Sequence, residues 1–124
     1  MRIVIVGAGE VGYHVAKSLS TEGHGITVIE EDEERALKVD NELDVITIRG
    51  NGSRPSVLEE AGVVAGCSVD ILVACTNRDE VNIMACWIAK RAGVKRVISR
   101  ARGLEYTDSP TWARDLGIDV MSSP

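Results

Sequence analysis

Apolar residues recur along this chain in two alternating patterns: short unbroken runs, and longer stretches with apolar positions three or four apart. Ile3-Val-Ile-Val6 is the first unbroken run and suits a strand buried on both faces of a parallel sheet. Val11, Val15, Ala16 and Leu19 follow at helical spacing, with Gly23 as a stop signal. Extended to the whole chain, the pattern predicts strands over residues 2–6, 25–30, 44–49, 71–75, 96–101 and 118–121. Helical stretches over 10–21, 33–41, 55–61, 80–91 and 104–116 lie between them. Ser53 is the expected N-cap of the third helix, with Pro55 in its first turn. Strict alternation of strand and helix implies an α/β fold with a Rossmann-like, doubly wound, parallel six-stranded sheet and helices on both faces. The expected strand order is 3-2-1-4-5-6, with a ligand crevice where strands 1 and 4 diverge.

The chemistry concentrates where strands end. Gly7-Ala-Gly-Glu-Val-Gly12 links the first strand to the first helix as Gly-x-Gly-x-x-Gly. Gly7 permits the sharp turn, Gly9 lets backbone approach a phosphate, and Gly12 allows close packing of helix on strand. The first N–H groups of that helix then point at the anion. The glycine pattern alone is weak evidence, but here it follows a strand, opens a helix and has an acid, Glu30, about twenty positions on. Glu30 is placed to accept hydrogen bonds from ribose hydroxyls and to repel a 2′-phosphate, which favours NAD(H). The alternative is a solvated acid within Glu30-Glu-Asp-Glu-Glu34, most of which reads as an acidic helix start.

Gly50-Asn51-Gly52 closes the third strand and offers either close approach to a flat ligand such as adenine or a tight turn. Thr76 and Asn77 follow the fourth strand, where they can bond a second ribose or a phosphate; Asn77 can otherwise cap the next helix. Arg100 and Arg102 share a strand face beside the crevice and either meet phosphates or point into solvent. Cys75 reads as a small apolar residue at a strand end rather than a redox switch. Tyr13-His-Val-Ala-Lys17 imitates a dehydrogenase Tyr-x-x-x-Lys pair but lies on the wrong helix, directly after the glycine loop. No nucleophile–base pair, metal cluster or paired-carboxylate site emerges, so the expectation is a binding protein and not an enzyme.

Composition narrows the class further. The 124 residues suit one domain. A net charge of −5 without a basic stripe argues against nucleic acid. No apolar stretch approaches the roughly 20 residues that span a bilayer, and no signal peptide is evident. Cys67, Cys75 and Cys86 are odd in number and lack metal spacing, which fits reduced thiols in a cytosolic protein. The chain stops at Met121-Ser-Ser-Pro124, just after the sixth strand, with no room for a substrate domain, so it reads either as a bare binding module or as a piece of something longer.

Together with Gly50-Asn-Gly-Ser53, Ala74-Cys-Thr-Asn-Arg-Asp-Glu-Val-Asn82 and Ser99-Arg-Ala-Arg102, the glycine loop gives four motifs in order. In these the chain resembles the TrkA-type nucleotide-binding N-terminal domain of RCK (KTN) regulators of potassium channels and transporters, over its whole length. The resemblance implies a cytoplasmic protein that binds NAD(H) or ATP/ADP. It implies a homodimer or higher homo-oligomeric ring, peripheral on the inner face of the membrane beneath a Trk/Ktr-like potassium transporter subunit. Carried over by position, Gly7, Ala8, Gly9, Glu10 and Val11 hold the pyrophosphate and Glu30 the adenosine ribose. Thr76 and Asn77 contact the distal part of the ligand, and Arg100 its phosphates. The chain departs from the family in having Glu30 where Asp is common, and in lacking the family's C-terminal RCK domain. Two rival readings are the cofactor-binding part of an NAD-dependent oxidoreductase and the cytosolic domain of a potassium-efflux antiporter.

Overall fold

A computed structural model of the protein describes residues 1–103 and 111–122. Its elements, in chain order, are β1 (Arg2–Val6), α1 (Glu10–Ser20), β2 (Gly25–Glu30), α2 (Glu33–Glu42), β3 (Ile46–Arg49) and α3 (Pro55–Glu60). They continue with β4 (Ile71–Ala74), α4 (Asp79–Ala92), β5 (Arg96–Ala101), α5 (Thr111–Leu116) and β6 (Asp119–Ser122). The six strands form one parallel sheet in the order β3-β2-β1-β4-β5-β6, as the alternation predicts. This is a doubly wound, Rossmann-like sheet.

Side chains alternate across each strand, so the central β1 serves two cores. Ile3 and Ile5 face α1 and α2, packing with Val28, Ala16 and Val39. Val4 and Val6 face α3, α4 and α5, packing with Leu58, Leu72, Val97 and Ala113. Burial on both faces explains the unbroken apolar run, because no position of β1 after Arg2 meets water. The edge strand β3 is different: its residues are half-buried or exposed, and Ile46 is 66% exposed. Register places Val6 between Ile29 and Ala74, so β1, β2 and β4 end level with one another and open a crevice at their C-terminal edge.

Several boundaries differ from the sequence reading for local reasons. The N-cap of α3 is Arg54 rather than Ser53, with Pro55 at the first helical position, because the Ser53 hydroxyl donates to Asn51 Oδ1 at 2.7 Å. Helix α4 begins at Asp79, with Arg78 and not Asn77 at its N-cap. It ends in a left-handed Gly93 (φ +104°), where Val94 N donates back to the Ala89 carbonyl. Of the helix expected over 104–116, Thr111–Leu116 is helical, and residues 104–110 lie outside the described residues, as do Ser123 and Pro124. No helix among the described residues is long and apolar enough to cross a membrane.

Candidate functional site

The glycine loop is built by its backbone. Gly7 N donates to the Ile29 carbonyl at 2.8 Å, and Cys75 N donates to the Val6 carbonyl at 2.8 Å, so the end of β1 is held from both sides. Gly7 then turns the chain through φ +100°, a region other residues rarely adopt. A Cβ on Gly12 would run into the Gly7 carbonyl oxygen, so α1 starts as close to the strand end as backbone allows. Gly9 is different in kind. Its φ is an ordinary −70°, and a Cβ there would meet only Arg35 Nη1, at 3.8 Å, because the space belongs to the crevice. Gly9 is also the N-cap of α1 and supplies no capping side chain. The first N–H groups of a helix have no intrahelical partner, and these open onto the crevice beside Glu10 and Val11.

On the β2 side the anticipated acid is not solvated. Glu30 is 8% exposed, and its carboxylate accepts from Ala8 N at 2.7 Å through Oε1 and from Asp32 N at 2.8 Å through Oε2. It thereby ties the end of β2 to the glycine loop, and each carboxylate oxygen keeps a second lone pair for a ligand hydroxyl. Asp32 caps α2 by accepting from Arg35 N at 3.0 Å. Asp32 and Arg35 both line the crevice and were missed from sequence, where they look like part of a charged helix start.

Gly50-Asn51-Gly52 lines the next wall as a tight turn. Asn51 Oδ1 accepts from both Ser53 N (2.9 Å) and Ser53 Oγ (2.7 Å), so its oxygen is engaged within the loop. A Cβ on Gly50 would lie 2.8 Å from Val57 Cγ2, and one on Gly52 would overlap Val6 Cγ1. These glycines therefore let the loop lie flat on the core beneath it. Their absent side chains face the protein rather than a ligand.

Across the crevice, Thr76 follows β4, and its hydroxyl and amide are both bonded to Asn82 of α4. Asn77 is exposed at the rim and does not cap α4. Arg100, on β5, donates weakly from Nη1 to the Cys75 carbonyl at 3.4 Å, while its Nε is buried without a partner among the described residues. Arg102 does not join it: its backbone N–H donates to the Asp79 carboxylate, and it does not line the crevice. Asp79 also receives Gly103 N at 2.9 Å, so α4 pins the main chain at Arg102 and Gly103, just beyond β5.

Cys75 lies in the wall as a buried thiol. Burial pushes its pKa up to about 11, against an opposing pull from Arg100, and burial together with Cys75 pushes Cys86 up to about 12. Neither is a nucleophile at neutral pH. Iodoacetamide at pH 7.5 is expected to label half-buried Cys67 in the native protein and to spare Cys75 and Cys86, as peptide mapping would show. Because folding raises both pKa values, the stability these thiols lend is complete below about 9 and drains away as pH rises towards 11 and 12.

The resulting crevice encloses about 550 Å³, within the range of small-ligand sites. Of the residues anticipated from sequence, Gly7, Gly9, Glu10, Val11, Glu30, Gly50, Asn51, Gly52, Thr76, Asn77 and Arg100 line it. Ala8 and Gly12 do not; they act behind the wall, Ala8 as the donor to Glu30 and Gly12 as the contact point of α1. The lining carries both signs, with the acids Glu10, Glu30, Glu31 and Asp32 and the guanidinium groups of Arg35, Arg78 and Arg100. Glu30 therefore offers hydroxyl acceptors at the end of β2 with Arg35 close by on α2, and the backbone start of α1 and Arg100 offer anion donors, with Glu10 beside the former. Among the described residues no group of His, Cys, Asp or Glu is arranged to hold a metal ion.

Comparison with known proteins places this geometry. The sequence pattern of the TrkA-N domain matches residues 3–124. A Trk system potassium uptake protein TrkA homolog of Archaeoglobus fulgidus is 46% identical over 125 residues, covering 100% of this chain and 28% of that protein. The chain thus spans less than a third of that relative's length. Among solved structures, the GsuK channel bound to NAD superposes with a TM-score of 0.77 at 17% identity, over 97% of this chain and 21% of the channel. The Kef CTD of Shewanella denitrificans in its AMP-bound form gives 0.76 at 16% identity, over 98% of this chain and 72% of that one. At such identities these two structures speak for the fold alone.

Proposed function

We propose that this chain, which belongs to the TrkA-N domain family, is a nucleotide-sensing regulatory domain of a membrane potassium-uptake system. NAD(H) or ATP/ADP occupies the crevice as a signal and is not turned over. The observation that carries the reading is the polarity of the crevice. Buried Glu30 offers acceptors, while the uncapped start of α1 and the Nε of Arg100, without a partner among the described residues, offer donors. A nucleotide has the complementary order, with ribose hydroxyl donors at one end and phosphate acceptors next to them. NAD and AMP, described in the two structural neighbours, share an adenosine 5′-phosphate, a unit that fits Glu30 and the start of α1, and a second phosphate such as NAD carries would fall to Arg100. The sequence relative is named for potassium uptake, which favours an uptake system over a potassium-efflux antiporter as the partner.

In this reading the ligand acts by stabilising one arrangement of subunits over another, through differential affinity for the two. The assembly is a homodimer or larger ring at the cytoplasmic face of the transporter.

Arg100 provides the test. Replacing it with Ala removes a buried Nε that has no partner among the described residues, together with one long bond from Nη1 to the Cys75 carbonyl at 3.4 Å, so the ligand-free protein should lose little stability. The same change removes a charge-assisted bond to phosphate, and ADP affinity should fall by about tenfold to a hundredfold. Calorimetric titration of Arg100→Ala with ADP, beside urea unfolding, checks both halves. Unchanged ADP binding would remove Arg100 from the phosphate site.

A further inference from the structure

The crevice wall on the β4–β5 side is assembled by one side chain that sequence reading left inside a motif. Asn82 lies one turn into α4 and is 0% exposed. Its Oδ1 accepts from Thr76 N at 2.9 Å and from the Thr76 hydroxyl at 2.6 Å. Its Nδ2 donates to the Thr76 carbonyl at 3.0 Å and to the Arg100 carbonyl at 3.0 Å. Two lone pairs and two N–H groups are the full capacity of a carboxamide, and here all four are spent on two residues, Thr76 just after β4 and Arg100 on β5. Both of those residues line the crevice. Asn82 itself does not, and so touches no ligand directly.

We infer that Asn82 is a positioning residue that sets the spacing between Thr76 and Arg100, and through it the preference for a nucleotide with a second phosphate over a monophosphate. The inference rests on the nucleotide reading proposed above. The adenosine and first phosphate fall to Glu30, the 50–52 turn and the start of α1, none of which Asn82 touches. Whatever lies beyond the first phosphate meets Thr76 and Arg100, whose main chains Asn82 joins. An Ala in its place strips the Thr76 N–H and carbonyl of their bonds to the carboxamide, while the Thr76 hydroxyl keeps Arg78 and the Arg100 carbonyl keeps the Ser99 hydroxyl, and the β4 and β5 ends are no longer tied through Asn82 at that point. An Asp there keeps the acceptor half and the shape but removes both donors.

The test titrates AMP and ADP into the full chain as wild type, Asn82→Ala and Asn82→Asp, with urea unfolding of each. Wild type is expected to bind ADP more tightly than AMP. In both variants AMP affinity should stay within about twofold, while ADP affinity falls by about tenfold or more, bringing the two towards equality. Equal loss of AMP and ADP binding, or an unchanged ratio between them, would overturn the role and leave Asn82 a general support of the fold. Should neither variant fold, the side-chain amide signal of Asn82 in the wild-type NMR spectrum decides: it should move with ADP and barely with AMP, and equal movement with both would overturn the inference. Wild type that binds AMP and ADP equally also overturns it. Wild type that binds neither instead defeats the nucleotide reading itself, and is told apart from the other failures by that control.

Discussion

Gly12→Ala is expected to destabilise the protein by about 3 kcal/mol, while Gly9→Ala, three residues earlier in the same motif, should leave folding nearly intact. The difference lies in what each missing side chain makes room for. At Gly12 the new methyl would occupy the position of the Gly7 carbonyl oxygen. That oxygen belongs to a residue anchored through its own N–H to Ile29, so neither partner can yield without shifting α1 off the sheet. Overpacking of backbone against backbone in a dense interior costs about 1–3 kcal/mol and falls at the upper end when nothing flexible can move. At Gly9 the backbone is in a region any residue tolerates, and the nearest heavy atom to a new Cβ is the mobile end of Arg35. The methyl there enters the crevice. Gly9→Ala should therefore cost about tenfold in ADP affinity while its urea midpoint stays close to wild type. Urea unfolding and ADP titration of the two variants measure both effects, and similar outcomes for the two glycines would contradict the division of roles.

Glu30→Ala is expected to produce the second large effect, on stability and ligand affinity together. The carboxylate holds Ala8 N and Asp32 N, and its removal leaves the first of these as a donor without a partner in a buried loop. Each such orphan costs about 1–3 kcal/mol, so a loss of about 2 kcal/mol is expected even without ligand. Affinity for adenosine-containing ligands should fall more than tenfold, because on the proposed reading the acceptor for the ribose and the tether of the phosphate-binding loop disappear at once. Glu30→Gln separates the two contributions. Its amide oxygen can still accept one N–H, but its NH₂ group confronts the other donor, so the loop loosens while side-chain size is preserved. Thermal unfolding with and without ADP, read for all three proteins, resolves them. Wild-type stability in Glu30→Gln would show that the two backbone bonds carry little.

How much of this was legible beforehand depends on whether a residue acts locally. The strand order and the crevice position follow from alternation and connection rules, so β1, α1 and β2 could be read almost to the residue. Gly7 and Gly12 were legible because their demands, a turn and a close approach, come from backbone geometry within six positions. Gly50 and Gly52 look the same in sequence yet serve contacts with Val57 and Val6, which only the packed fold brings near. Arg100 and Arg102 are equivalent by alternation. They part because β5 ends at Ala101 and Asp79 captures the main chain beyond it. Glu30 was legible as an acid at the crevice, but its tie to the glycine loop was not visible, since nothing in sequence shows a side chain bending back 22 residues to Ala8. Asn82 was hidden for the same reason. A polar residue in a helix reads as solvent-facing until the Thr76 and Arg100 carbonyls are seen beside it.

The central claim, that this crevice binds an adenine nucleotide as a reversible signal, is tested most directly by isothermal titration of the wild-type chain with ADP and NADH, with Gly9→Ala in parallel. Saturable binding of at least one of them at one site per chain, recovery of the ligand unchanged, and about tenfold weaker binding in folded Gly9→Ala are the predicted results. No heat of binding from either ligand at millimolar concentration would contradict it, as would equal binding by Gly9→Ala.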